Sequence, residues 1–286
     1  VNKSANGWIY GFLGVLVFSG SLPATRIAVL EMDPFFLTWA RAALAGIMAA
    51  GALIYFRQSL PGPRTCRKLA FVVSGVVIGF PLFTALALEH ITAARSLVYM
   101  GMLPLSTAIF GVVFGGERPR PAFWAFSITG SLLVAGFAAW QSGGSFSPGD
   151  GYMLAAIIVC GVGYAQGGIL SRTLGGWQVI SWALVLALPI VVIALGLSHF
   201  PNPETISVSA WSGLAYVSAF SMWIGFIFWY KGLALGGVAG VGQIQLLQPF
   251  LGFIPAALLL HEPVSAAMVG IALGVAICVA GSRRFA

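Results

Sequence analysis

Gln245, Gln248 and Gly252 share one face of a helix-length apolar stretch, where side-chain amides can donate and accept hydrogen bonds without carrying charge. Met100 and Leu103 stand 145 positions before the two glutamines. A chamber built from both stretches would hydrogen bond on one wall and pack on the other, which suits an amphipathic, uncharged or zwitterionic solute better than an inorganic ion. The other use of such glutamines is interhelical bonding, and Gln243 points away from this face. Trp39, Tyr99, Tyr164 and Trp223 are aromatic candidates for the same lining, able to stack on a side chain or attract an ammonium. Arg41 could meet a substrate carboxylate; its alternative is a structural pair with Glu31, Asp33 or Glu89, and Arg26 and Arg95 read as structural as well.

These residues need a scaffold, and composition names its solvent. With 59% apolar and 7% charged residues among 286, too little polar surface exists to cover a soluble domain. A membrane helix needs about 20 apolar residues. Ten stretches qualify, at 7–29, 34–56, 69–88, 92–115, 121–140, 151–171, 178–198, 208–230, 237–259 and 264–281. The short alternating segments of a barrel are absent, so the expected class is an all-α membrane protein. The first stretch reads as a retained helix, having only Lys3 as a basic lead and no clear small-residue cleavage site.

The two halves are related. A shift of 145 carries Pro104 onto Pro249, Glu117 onto Glu262 and Val134-Ala135-Gly136 onto Val279-Ala280-Gly281; a shift of 143 carries Thr38-Trp39-Ala40 onto Ser181-Trp182-Ala183. Cations collect in the even-numbered gaps and at the termini, from Lys3 through Arg57, Arg64, Arg118 and Arg172 to Arg283 and Arg284, which places those regions in the cytoplasm. Five spans per repeat is an odd number, so the second copy must be inverted, with both termini cytoplasmic. The units are 1–140 and 150–286, with 141–149, rich in Gly and Ser, as an external linker.

Pro104 and Pro249 fall near mid-membrane, where a proline frees the carbonyl four residues earlier, those of Met100 and Gln245. Frayed backbone at that depth is tolerated beside protein or a water-filled cavity, so both prolines are hinge candidates, with Pro23 and Pro81 as further ones.

Several classes of function are set aside. There is no GxxxxGK[ST] motif to couple transport to ATP, and no cofactor or metal is implied. The net charge of +7 is spread over short loops and explained by topology, which removes nucleic acid as a partner. Cys66, in a cytoplasmic loop, and Cys160 and Cys278, within spans, offer no disulfide framework. An intramembrane enzyme would need catalytic groups at depth, whereas His90, His199, His261 and the acids all lie at span ends. That same lack of a deep carboxylate argues for uniport over proton antiport.

Phe18-Ser19-Gly20-Ser21, Arg41, Pro104, Gly116-Glu117, Gly130 and Gly136, with His261-Glu262-Pro263 and Gly281 repeating the ending, resemble the EamA repeat of the drug/metabolite transporter superfamily. The likeness is strongest to the YddG-type bacterial exporters of aromatic and other neutral amino acids. It departs from the pattern where Leu184 replaces the second copy of Arg41. The resemblance implies two inverted five-helix bundles, with spans 1 to 4 and 6 to 9 around a central cavity and spans 5 and 10 outside. The expected function is export of small amphipathic metabolites, amino acids foremost, through a bacterial inner membrane by alternating access. A sugar-phosphate or nucleotide-sugar exchanger and a solute channel are the alternatives; the first would want convergent cations in both halves, the second a continuous polar pore.

Overall fold

The computed structural model describes residues 3–141, 146–248, 250–251 and 266–286. Pro249, Gly252, His261, Glu262, Pro263 and residues 142–145 of the expected linker lie outside the described residues. Among those described, every regular element is helical. They are α1 (Lys3–Ser19 and Ser21–Val29, joined at Gly20), α2 (Pro34–Tyr55), α3 (Pro63–Val72, Val73–Gly79 and Phe80–His90), α4 (Ala93–Met100 and Leu103–Gly115) and α5 (Pro121–Gln141). Then follow α6 (Pro148–Leu174), α7 (Gly176–Leu197), α8 (Val208–Tyr216, Val217–Ile224 and Gly225–Gly236), α9 (Val238–Gly242 and Gln243–Leu247) and α10 (Ala266–Phe285). Six of these, α1, α2, α3, α6, α7 and α8, are long and apolar enough to cross a membrane. The protein is therefore a multi-pass integral membrane protein.

Polar residues set the helix ends. The Asp33 carboxylate accepts from the Phe36 N–H at 2.9 Å with Pro34 in the first turn, and Ser207 Oγ accepts from the Ala210 N–H at 3.2 Å, so α2 and α8 begin with satisfied donors. Cys66 falls within the first turn of α3, not in a loop, because that helix starts at Pro63. Cys160 and Cys278 are buried.

Packing pairs elements of the two halves reciprocally. The α1 helix runs along α8 while α3 runs along α6; α2 faces α7; α5 and α10 pack on each other. Close approach rests on glycine. A Cβ on Gly232 would lie 2.6 Å from the Gly11 nitrogen, and one on Gly7 2.6 Å from the Gly236 nitrogen, so Gly7, Gly11, Gly232 and Gly236 form two small-residue stripes that let α1 and α8 touch backbone to backbone. On the related pair, a Cβ on Gly75 would lie 2.3 Å from the Val159 carbonyl oxygen.

Regularity fails at matching depths. Val73–Gly79 in α3 and Val217–Ile224 in α8 are π-helical, beginning 144 positions apart. The α4 helix breaks at Gly101–Met102, and α9 tightens to a 3₁₀ turn over Gln243–Leu247. Pro104 therefore begins the second part of α4 and kinks no continuous helix: its missing N–H falls where a helix start needs none. Pro81 occupies the same kind of position after the α3 π segment.

Candidate functional site

The breaks surround one central cavity. It is lined by Phe18, Ser21 and Leu22 of α1, Arg41 of α2, Val76, Phe80 and Pro81 of α3, Met100 of α4, Tyr164 of α6, Ser221, Met222 and Phe226 of α8, and Gln248 beyond the 3₁₀ turn. Both halves contribute, while α5, α7 and α10 supply none of these residues. Its volume is about 20 Å³, room for roughly one water. Admission of a solute thus requires its walls to part.

The lining is apolar over most of its area with a polar seam between α1, α2 and α8. Ser21 and Ser221 hydroxyls are 2.8 Å apart, and Gln248 Nε2 donates to the Phe18 carbonyl at 3.4 Å. Arg41 Nη2 reaches the Val217 carbonyl and Ser221 Oγ, each at 3.5 Å, the outer limit of a hydrogen bond. Val217 opens the π segment, whose widened turn brings its carbonyl and Ser221 to the same seam. On the apolar side the Phe18 and Phe226 rings are 4.8 Å apart and Tyr164 and Phe226 5.7 Å apart.

Of the residues expected from sequence, the cavity gathers Arg41, Met100, Tyr164, Gln248 and Pro81. Leu103 is fully buried behind it. Gln245 is buried beside Tyr164, and among the described residues no hydrogen-bond partner lies within reach of its amide atoms or of those of Gln243. Trp39 is half-buried against the core, and Trp223 donates from Nε1 to Ser181 Oγ at 2.9 Å. Tyr99 lies beside Arg95 and Asp150 at one rim, away from the cavity. Pro23 faces a separate apolar groove between α1 and α8, with Ser19, Gly20 and Tyr216. The structural pair considered for Arg41 does not form: Glu31 bonds Ser207, Asp33 caps α2, and Glu89 is exposed. Arg26 donates to the Leu88 carbonyl. Ser221 and Phe226 were missed in sequence, where nothing separates them from ordinary small and aromatic packing residues, and Ser21 stood out only as part of the family resemblance.

Ties between the halves lie at both ends of the bundle. At the end where α4 and α6 finish, Gly116 turns the chain at φ +63° and Gly237 turns it at φ +87° between α8 and α9. Between these corners the Glu117 carboxylate accepts from the Val238 and Ala239 N–H groups at 2.9 and 2.8 Å and from Arg172 Nη2 at 2.6 Å. A carboxylate from the first half thus caps a helix of the second. At the opposite end, where α4 and α6 begin, Arg95 and Asp150 form an ion pair at 2.7 Å. There the Glu31 carboxylate also accepts from the Ser207 hydroxyl and N–H, each at 2.6 Å. Those two bonds hold the Glu31 carboxyl below the usual carboxylate range.

A sequence model of the EamA-like transporter family matches twice, over residues 5–139 and 147–282. The uncharacterized transporter YdeK of Bacillus subtilis (strain 168) is 61% identical over 289 residues, covering 100% of each chain. The aromatic amino acid exporter YddG of Salmonella typhimurium (strain 14028s / SGSC 2262) is 21% identical, over 82% of this chain and 85% of its own. One crystal structure, at 19% identity, superposes with a TM-score of 0.79 over 98% of this chain and 99% of that one, a likeness of fold.

Proposed function

The chain belongs to the EamA-like transporter family, and on that premise we propose that it exports small amphipathic metabolites, aromatic and neutral amino acids foremost, by alternating access. The observation that carries this reading is a small cavity lined by both halves, with ties between the halves at both ends of the bundle. Two inverted five-helix repeats, 1–140 and 150–286 about an external linker, would exchange conformations and so open one end at a time. The reciprocal pairing of α1 with α8 and α3 with α6, and the π segments at matched depth, are what such an exchange needs. The end at Glu117 is cytoplasmic in this reading, and the end at Glu31 is external.

The solute class follows from the walls. Four aromatic rings and several aliphatic side chains face one cation, two serine hydroxyls and one amide, so a ligand with an apolar body and a small polar head fits. A phosphorylated sugar would meet a single guanidinium and few other donors. The exported compound of the Salmonella relative, an aromatic amino acid by its name, matches that description. The Bacillus relative points to a bacterial plasma membrane, and the sequence offers no deep carboxylate to carry protons, which supports uniport.

Counterflow in proteoliposomes tests the whole reading. Neutral and aromatic amino acids should exchange and compete with one another, without ATP. Preferential exchange of phosphorylated sugars would replace the substrate class, and uphill flux driven by an imposed pH gradient would replace uniport by proton coupling.

A further inference from the structure

We infer that Arg41 and Gln248 form an anion seat in the central cavity that selects solutes carrying a carboxylate; the inference rests on the carrier reading above and names its substrate class. Arg41 stands seven residues into α2, roughly 10 Å from its start at a rise of about 1.5 Å per residue. Its side chain is only 3% exposed, yet it meets no carboxylate among the described residues. The two contacts of Nη2 are long, and Nε has no partner among the described residues. A guanidinium offers five N–H donors, so most of its capacity is unused.

The other described acids are engaged elsewhere or, like Glu89 and Glu204, exposed. Glu31 serves Ser207, Asp33 caps α2, Asp150 holds Arg95 and Glu117 holds Arg172. A buried cation without a counter-charge destabilises the ligand-free fold. Such a charge fits a group that is matched when the solute arrives. One guanidinium in a fixed fork matches one planar carboxylate in charge and in geometry. Gln248 stands across the same cavity, 2% exposed, with Oε1 unpartnered, and can accept from an ammonium or other donor on the same molecule. Phe18, Tyr164 and Phe226 then enclose the apolar body. The seat therefore reads a carboxylate first, a donor beside it second, and an apolar remainder third.

Thermal unfolding of the purified protein in detergent tests this with phenylalanine, 3-phenylpropionate, phenethylamine and inorganic phosphate as probes, on wild type, Arg41→Gln and Arg41→Lys. The two carboxylates should raise the wild-type midpoint by several degrees, while phenethylamine and phosphate leave it in place. Arg41→Gln should lose both shifts and, without ligand, unfold at a higher temperature than wild type, since an unmatched charge has been removed. Arg41→Lys keeps the charge without the fork and should bind the carboxylates roughly tenfold more weakly or worse. A merely structural arginine would do the reverse, lowering the ligand-free midpoint when replaced. Carboxylate shifts that persist in Arg41→Gln, shifts of equal size with phenethylamine or phosphate, or no carboxylate shift in wild type would each overturn the seat. Arg41-dependent binding without flux in liposomes would uphold the seat and defeat the carrier reading; flux indifferent to Arg41 would do the opposite.

Discussion

The α2 and α7 helices pack against each other and share a motif, Thr38-Trp39-Ala40 against Ser181-Trp182-Ala183, yet the residue that follows it is Arg41 in one and Leu184 in the other. Both side chains are buried. The same split recurs between α4 and α9, where Met100 and Leu103 stand opposite in register to Gln245 and Gln248. Polar capacity has thus diverged at matched sites, with the cation in the first half and the amides in the second. What stays paired is the backbone irregularity: the π segments and the breaks before Pro104 and beyond Gly242. Packing in a bilayer depends on close approach of helices, which tolerates little change. Recognition depends on a few side chains, which can differ between copies so long as one solute satisfies them together.

The strongest way to break that comparison is at the helix contacts. In Gly232→Ala the added carbon meets the backbone of Gly11 at 2.6 Å, and in Gly75→Ala it meets the Val159 carbonyl oxygen at 2.3 Å; neither neighbour is a side chain that can swing aside. Each variant should lose about 1–3 kcal/mol as the helices are forced apart. Melting in detergent checks it, with the two losses expected to be alike. A large loss in one and none in the other would show that α1 with α8 and α3 with α6 are not equivalent supports.

Much of this scaffold was readable before any coordinates. Apolar runs placed the six long helices to within about six residues at either end, because a bilayer admits long helices and little else. The proline reading needed revision, and one backbone feature went unread. Pro104 looked like a kink in a continuous span, but the helix already stops at Met100, and proline prefers the fresh start that follows. The π segments left no trace, since α8 carries no proline there and a widened turn in an all-apolar stretch does not disturb its pattern. For the site, Arg41 and Gln248 stood out as polar residues where few are tolerated. Tyr99 and Ser221 were harder: whether one residue on an apolar helix turns to the rim or to the cavity depends on its neighbours, and 13% aromatics dilute any signal.

A second comparison, between the two ends of the bundle, is sharpened by Glu117→Gln. The carboxylate side chain is 17% exposed and Arg172 40%, so solvent screens the ion pair and the bonds to the α9 N-terminus carry much of the effect. The neutral amide can accept one of the two N–H bonds but loses the charge that favours a helix start. A loss of about 0.5–2 kcal/mol is expected in melting experiments, shrinking partly, not wholly, in high salt. If that end opens during transport, the variant should also speed flux when opening is the slow step. A loss abolished by salt would assign the tie to the ion pair alone.

The smallest effect belongs to the other end, at Glu31. Its carboxyl is depressed below the ordinary value of 4.5 because the folded protein donates the Ser207 hydroxyl and N–H to the charged form. A depressed acid stabilises the fold above its unfolded value, and that contribution disappears as pH falls through the folded one. Wild type should therefore melt slightly above Ser207→Ala at neutral pH, with the hydroxyl-dependent part of that gap closing below pH 4.5. Ser207 also caps α8 through Ala210, so some difference should survive at low pH. The two parts separate cleanly: Glu31→Gln removes the titrating group and should make the remaining gap independent of pH. A gap in Glu31→Gln that still narrowed on acidification would place the titrating group elsewhere and leave this end held chiefly by Arg95 and Asp150.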